Sequence, residues 1–459
     1  MIIPIKSLRS KKQVPVMLLA VIVSVLFLSH ELRAATNSPE KTNEGKEFWL
    51  CFQRNYKDTP AGTVKSKNDL ILQLFLTGNK ESNVVIEIDG IGFKSTVKLP
   101  ADSIKNVMID AAAQVKGEEI PERLAVHITS DNPIAVYGLN SRWQTTDTYL
   151  GLPVATLGKE YYAIGYKYSE GLLSQFAVIA TEDETTLTIT PASTTSKKHP
   201  AGEPFTVKLN RGDVYQVTSF PEPKGSDLTG SHIVSNKKIA VFSGHQCAYV
   251  PEGVVGCNHL VEQLPPVSTW GNSFFVGMLG GRSKYTIRVV ASQNNTKIYE
   301  NSKLTATINA GEFYENTNVT ENEQITTDHP VMVAQYSQGF LNGDSVGDPM
   351  MLLVSPKEQF LKASRFATPK TGQWRHFVNL VIRTSGIASI QLDGLPVDHS
   401  LFSKVGDGEY SIGQILVLFG SHKIEADEYF GMSSYGFGFG DEAYDAYGNM
   451  GGQSFFEIK

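Results

Sequence analysis

The sequence predicts an all-β protein made of four similar units, and three observations carry that expectation. The composition is ordered but rich in turn formers: 41% hydrophobic and 19% charged residues, with 40 Gly, 21 Pro and 10% aromatics, lean toward strands and tight turns. A paired pattern, one β-branched or aromatic run and one alternating run across a polar turn, recurs at residues 69–88, 174–190, 284–300 and 375–394. The copies start about 90–110 residues apart, the mark of a repeated unit. No stretch sustains a long helical period, and residues 103–113 offer at most a short helix.

The N-terminus reads as an export signal. Lys6, Arg9, Lys11 and Lys12 form a positive region, residues 14–28 are almost unbroken apolar sequence, and Ala34-Ala35 supply small residues for cleavage after Ala34. An apolar run of this length is short for a bilayer, which needs roughly 20 residues. Residues 1–35 are therefore expected to be removed, with no membrane span after cleavage, and residues 36–46 to form a flexible lead-in. The expected location is extracellular, cell-surface or periplasmic.

The units follow at about 47–150, 151–266, 267–357 and 358–459. Aromatic strands open the first three: Phe48-Trp49, Tyr161-Tyr162 and Phe274-Phe275. A second echo, ITSDNPIAV at 128–136, IVSNKKIAV at 233–241 and ITTDHPVMV at 325–333, reads as strand–turn–strand. The fourth unit has no clean copy of it. Both echoes, and residues 205–217, are expected to be hairpins. Seven or eight strands per unit suit either a propeller-like ring with two four-stranded blades per unit or tandem β-sandwiches. The lack of flexible linkers favours the ring narrowly.

The candidate chemistry is sparse. A net charge of −6 without a long basic run argues against a nucleic-acid partner. Cys247 and Cys257 bracket a Gly- and Pro-containing loop, and in an exported chain a disulfide is favoured over two buried thiols. Cys51 lies in an apolar run and reads as buried and reduced. His245 and His259 lie nearby, but the cysteine spacing is not that of metal ligands, so neither metal nor cofactor is expected. Arg211-Gly212-Asp213 matches an integrin-binding tripeptide. Its setting, LNRGDVY, has a counterpart in INAGEFY around Gly311, so it reads as a structural turn. The acidic groups Glu182-Asp183-Glu184, Asp344/Asp348 and Asp441-Glu442/Asp445 lack calcium-loop spacing. Asn294 and Asn318 head glycosylation sequons. Ser243 stands two residues before His245, yet it lacks a nucleophile-elbow context, and no paired-carboxylate or phosphate-loop motif accompanies it.

The most distinctive stretch is residues 226–271. Asp227, Gly230, Gly244, His245, Cys247, Cys257, His259, Pro265, Pro266 and Trp270 within it resemble the pattern of the IgGFc-binding protein N-terminal domain family, with support from residues 45–49, 152–161 and 347–349. Asn258 stands where that pattern is expected to carry Asp. The resemblance implies a non-enzymatic extracellular binding or adhesion module for a glycoprotein, glycan or surface partner. The alternative is a secreted hydrolase whose site is assembled between repeats. Exposed aromatics and amides on one rim would favour binding; a convergent Ser/His/Asp set or carboxylate pair in a concave pocket would favour hydrolysis.

Overall fold

A computed structural model describes residues 41–56, 70–117, 119–221, 226–370 and 372–458, so the expected export signal lies outside the described residues. Strand positions follow the hydrophobic pattern. Val84, Ile86 and Ile88 of SNVVIEI alternate inward as a half-buried strand requires, whereas SQFAVIA at Ser174–Ala180 is buried on both faces.

The strands form four antiparallel sheets in sequence order. The first contains β1 (Gly45–Leu50), β2 (Ile71–Gly78), β3 (Ser82–Ile88), β4 (Phe93–Leu99), β5 (Ser103–Ile109), β6 (Val126–Arg142) and β7 (Thr145–Leu150). The second contains β8 (Gly158–Tyr162), β9 (Ser174–Ala180), β10 (Thr185–Thr190), β11 (Phe205–Leu209), β12 (Val214–Thr218), β13 (His232–Tyr249) and β14 (Cys257–Gln263). The third contains β15 (Gly271–Val276), β16 (Tyr285–Ala291), β17 (Thr296–Glu300), β18 (Lys303–Ile308), β19 (Phe313–Val319), β20 (Glu323–Tyr336) and β21 (Met351–Leu353). The fourth contains β22 (Leu361–Thr368), β23 (Trp374–Arg383), β24 (Gln391–Leu392), β25 (Leu395–Pro396), β26 (Phe402–Val405), β27 (Tyr410–Val417), β28 (Gly420–Gly438) and β29 (Ala446–Gly452).

One topology repeats: β4-β3-β6-β2-β5, with β1 and β7 also paired to β6, recurs as β11-β10-β13-β9-β12 and β18-β17-β20-β16-β19. This corrects the hairpin expectations. ITSDNPIAV and its copies are not hairpins but the bends of the long strands β6, β13 and β20. In β13, residues before the bend pair with β8 and β10, and residues after it pair with β9 and β14. The register shifts between Val234 and Ile239. The polar residues Asn236, Lys237 and Lys238 mimic a turn, but none adopts the positive φ that a tight two-residue hairpin requires. The other echo is not a hairpin either. β2 and β3 both pair with β6 and not with each other, as β9 and β10 do with β13, while β11 and β12 pair with β10 and β9 rather than with each other. Each unit is thus one continuous sheet folded about its long strand rather than two separate blades. Residues 103–109 are strand, not helix. The missing fourth copy is IEADEYFGM in β28, where Phe430 occupies the position of Ile134: Leu361 pairs with Phe430 as Gly45 pairs with Ile134. Within the expected lead-in, Thr42 bridges to Ser454 and β1 begins at Gly45.

The four units close into a ring. The last strands β7, β14, β21 and β29 gather around one axis, β7 lying against β14 and β29, and β21 against both as well. The fourth sheet meets the first through the Tyr137 hydroxyl, which donates to the Arg365 carbonyl at 3.1 Å, and a Thr77–Ser421 hydroxyl contact at 2.7 Å. Three seams between units are built alike. Gly45, Gly158 and Gly271 face Pro153, Pro266 and Pro356, and a Cβ on any of these glycines would come within 2.4 Å of the proline.

Candidate functional site: a polar axis and the loops at one end of it

The last strands meet without hydrogen-bonding one another, so their inward backbone groups need other partners. Side chains on the axis supply them. Asp147 on β7 accepts the amides of Thr148 (2.9 Å), Val261 (3.1 Å), Met351 (3.4 Å) and Gly448 (3.0 Å), one from each sheet. One layer along, Glu262 on β14 accepts from Leu353 (3.2 Å) and Met450 (3.0 Å). One layer the other way, Asn258 donates its amide to the carbonyls of Thr146 (2.8 Å), Pro349 (2.7 Å) and Ala446 (2.9 Å). An ionised Asp at position 258 could not donate these bonds, so the amide suits this layer of the axis.

Asp147 and Glu262 are fully buried. Burial pushes the Asp147 carboxyl well above its usual range against the pull of its four amides. Glu262 is raised likewise by burial, and further by Asp147 beside it. At the end of the axis nearest Asn258, buried Asp445 accepts from Thr146 through both amide (3.0 Å) and hydroxyl (2.7 Å). Its carboxyl is pushed up to about 8, chiefly by burial.

The motif residues of 226–271 mark this axis and its seams. Asp227 accepts from Arg288 of the third sheet at 2.8 Å. Burial alone would raise the Asp227 carboxyl, but the Arg288 charge and the Thr229 hydrogen bonds hold it below its usual value. Gly230, at φ +89°, packs so closely on the third sheet that a Cβ would lie 1.8 Å from the Gly311 carbonyl oxygen. Gly244 sits equally close to the Leu260 carbonyl. His245 accepts the Cys247 amide at 3.1 Å, and burial lowers it to about 3 and His259 to about 4, so both rings are neutral. Pro265 accepts from the Trp270 indole at 3.2 Å, and buried Trp270 lies beside Tyr162. Cys247 and Cys257 form a disulfide with Cα atoms 5.2 Å apart, and Cys51 is free and buried. Ser243 is buried and donates to the Gln175 carbonyl at 3.4 Å. The Arg-Gly-Asp turn matches its counterpart: Asp213 accepts the Asn210 amide at 2.7 Å as Glu312 accepts that of Asn309 at 2.8 Å, with Gly212 and Gly311 both at positive φ.

Because β7, β14, β21 and β29 enter the axis from the same end, the connections before them cluster there: residues 143–144, 250–256, 337–350 and 439–445. They touch one another. The Gly339 amide donates to the Val250 carbonyl at 2.9 Å, the Gly347 amide donates to the Ala443 carbonyl at 2.9 Å, and the Phe340 and Tyr444 rings lie 4.6 Å apart. These tips carry exposed apolar side chains, Trp143, Val255, Leu341, Val346, Phe439 and Tyr444. The sequence singles out the Cys247–Cys257 loop and the acidic groups Asp344/Asp348 and Asp441-Glu442/Asp445 within these tips, but not their exposed apolar side chains. The signal available was position: each lies just before the last strand of a repeat. Asp147 and Glu262 were also overlooked, although each is a charged residue inside an otherwise buried strand.

A closed ring of repeated β-sheets, stitched along a buried polar axis and presenting its connections at one end, defines a repeat-built all-β scaffold. The chain belongs to the IgGFc-binding protein family: the family profile, described as IgGFc binding protein, matches residues 147–436, more than half the sequence. A human IgGFc-binding protein is 27% identical over 388 residues, which cover 82% of this chain but 7% of the human protein. The chain therefore corresponds to a small part of that relative. Among the described residues, no helix is long and apolar enough to cross a membrane.

Proposed function

We propose that this protein is an exported, non-enzymatic binding module whose tip face holds a protein or glycan partner outside the cell. The observation that carries this reading is the clustering of Trp143, Leu341, Val346, Phe439 and Tyr444 on contiguous connections at one end of a rigid ring. Exposed apolar groups gathered on one face mark interaction surfaces, whereas scattered ones do not. The human relative is named for binding the Fc portion of IgG, so immunoglobulin is the first protein ligand to try. In this reading the export signal, residues 1 to about 35, is cleaved after Ala34 and the four units, about 47–150, 151–266, 267–357 and 358–459, act only as scaffold.

The test is binding of the mature chain to immobilised IgG Fc, a serum glycoprotein panel and a glycan array, compared with a Leu341→Ser/Phe439→Ser variant. A bound partner that the variant loses by at least tenfold supports the reading. Equal binding by the variant sinks the tip face. N-terminal sequencing of exported material should begin at Ala35, and an intact Met1 would contradict export by cleavage.

A further inference from the structure

A cleft of about 240 Å³ opens between the third and fourth sheets, at the border of the tip face. Its apolar lining is Phe377, Phe437, Phe439 and Val346, and its charged lining is Arg282 and Arg375. We propose that this cleft binds a small monocarboxylate with a linear apolar chain, a ligand separate from any protein or glycan held by the tip face.

Strand alternation builds the apolar surface. His376 and Val378 of β23 are buried, so Arg375 and Phe377 share the opposite face of the strand. There Arg375 lies opposite Phe437 of β28, and Phe377 lies opposite Tyr435 of β28 and Leu416 of β27. The Tyr435 ring stacks on Phe377 at 5.5 Å and holds it in place. Gly280 approaches from the third sheet so closely that a Cβ there would lie 2.5 Å from the Phe377 ring. Leu416 is 65% exposed and extends the apolar face past Phe377, since directly opposed residues in paired strands share a face.

Charge selects the head group. Arg282 is already engaged: it is buried, donates to the Gln338 carbonyl at 2.6 Å and pairs with Asp344 at 3.2 Å. Arg375 is different. It is exposed, lies 5.9 Å from the Phe439 ring and, among the described residues, forms no ion pair with a carboxylate. No carboxylate lines the cleft among the described residues. One unmatched guanidinium beside an apolar surface suits a ligand with one carboxylate, which it engages through paired N–H donors. A cation would meet only guanidinium groups here, and a neutral chain would leave Arg375 without an anion. The cleft beside residues 42–44 differs, because Glu44 and Glu425 there stand against Arg365 and Lys423 and the charges balance.

Size selects the chain. The volume equals that of about eight waters at ~30 Å³ each, so a chain of about eight carbons fills it. Each methylene moved from water into such a site tightens binding by about three- to fourfold. Affinity should therefore climb from butanoate to octanoate at that rate.

The test titrates the exported protein with butanoate, hexanoate and octanoate, and with octanamide and octylammonium as neutral and cationic counterparts, reading NMR line broadening of the ligand. Octanoate should bind at least tenfold more tightly than octanamide or octylammonium. Arg375→Gln should weaken octanoate at least fivefold and erase its advantage over octanamide, whereas Arg375→Lys, which keeps the charge, should retain that advantage. Phe439→Ser should weaken octanoate and octanamide alike. Lys303→Gln, on the exposed edge strand β18, is the control and should bind as wild type with an unchanged thermal midpoint. The proposal is overturned if octanoate does not bind, if octanamide binds equally well, or if Arg375→Gln binds octanoate as wild type. If it is overturned while Leu341→Ser/Phe439→Ser still abolishes capture of a protein partner, the carboxylate site is wrong and the tip-face reading stands.

Discussion

The same four strands carry two opposite surfaces, and the contrast between them separates what builds this protein from what it presents. Along the axis, β7 and β14 bury the carboxyl groups of Asp147 and Glu262, and each is surrounded by amides from several sheets. At the tips that feed those strands, apolar groups stand in solvent. Burying a carboxylate is costly unless its hydrogen bonds are met, and leaving large apolar groups wet forgoes burial energy. One inversion of ordinary patterning lies inside the ring and the other outside it. The first joins the units, and the second is free to contact something else.

Breaking the axis should have the largest effect. Asp147→Ala removes the acceptor for amides of all four sheets, at ~1–3 kcal/mol for each group left unmet before relaxation, so a net loss of about 4 kcal/mol or more is expected in urea unfolding. Asp147→Asn keeps one oxygen and should lose less. Equal, small losses for both would mean that the axis is incidental to stability.

Removing the disulfide should come next. Replacing Cys247 and Cys257 with Ser should cost about 2–3 kcal/mol by the entropy of closing this short loop, and peptide mapping should find Cys51 reduced in the native protein. At the seam between the second and third sheets, Gly230→Ala should cost about 1–3 kcal/mol in thermal melts, because its positive φ and the Gly311 carbonyl leave no space for a Cβ.

A titration sharpens the comparison further. Asp445 is raised from 3.8 to about 8 in the folded protein, so the folded state holds its proton more tightly than the unfolded one. The stability this contributes is full below about pH 4 and is lost as pH rises toward 8. Asp445→Asn should flatten that decline when the urea midpoint is followed across the window. Asp147, Glu262 and Asp348 shift in the same direction, so the slope should shrink rather than vanish.

The smallest effect is expected at the Arg-Gly-Asp turn. Asp213→Glu installs the residue found at the equivalent turn, and should change stability by less than about 0.5 kcal/mol and leave integrin-dependent cell attachment unaltered. A specific loss of attachment would show that the tripeptide is read by a receptor.

Local features were legible in the sequence. β-Branched alternation located most strands, the repeat spacing divided them into four sets, and the matched glycines Gly212 and Gly311 identified one turn in two units. The Cys247–Cys257 pairing was legible because its loop is short. The candidate site was legible only in part. The motif residues of 226–271 were visible as a pattern, but their work at the seams was not, and Trp143 and Phe439 carried no motif at all.

What the sequence by itself determined is where the chain is extended and where it turns, because a period of two and a positive φ are properties of a few neighbouring residues. Only the tertiary structure decided which strands pair. ITSDNPIAV and IVSNKKIAV contain turn formers, yet each bends without ending its long strand, because neighbouring strands on either side of the bend hold it extended. The axis was decided in the same way: Asp147 and Glu262 are tolerable inside the protein only after amides from separate sheets, as many as 301 residues apart, have been brought around them.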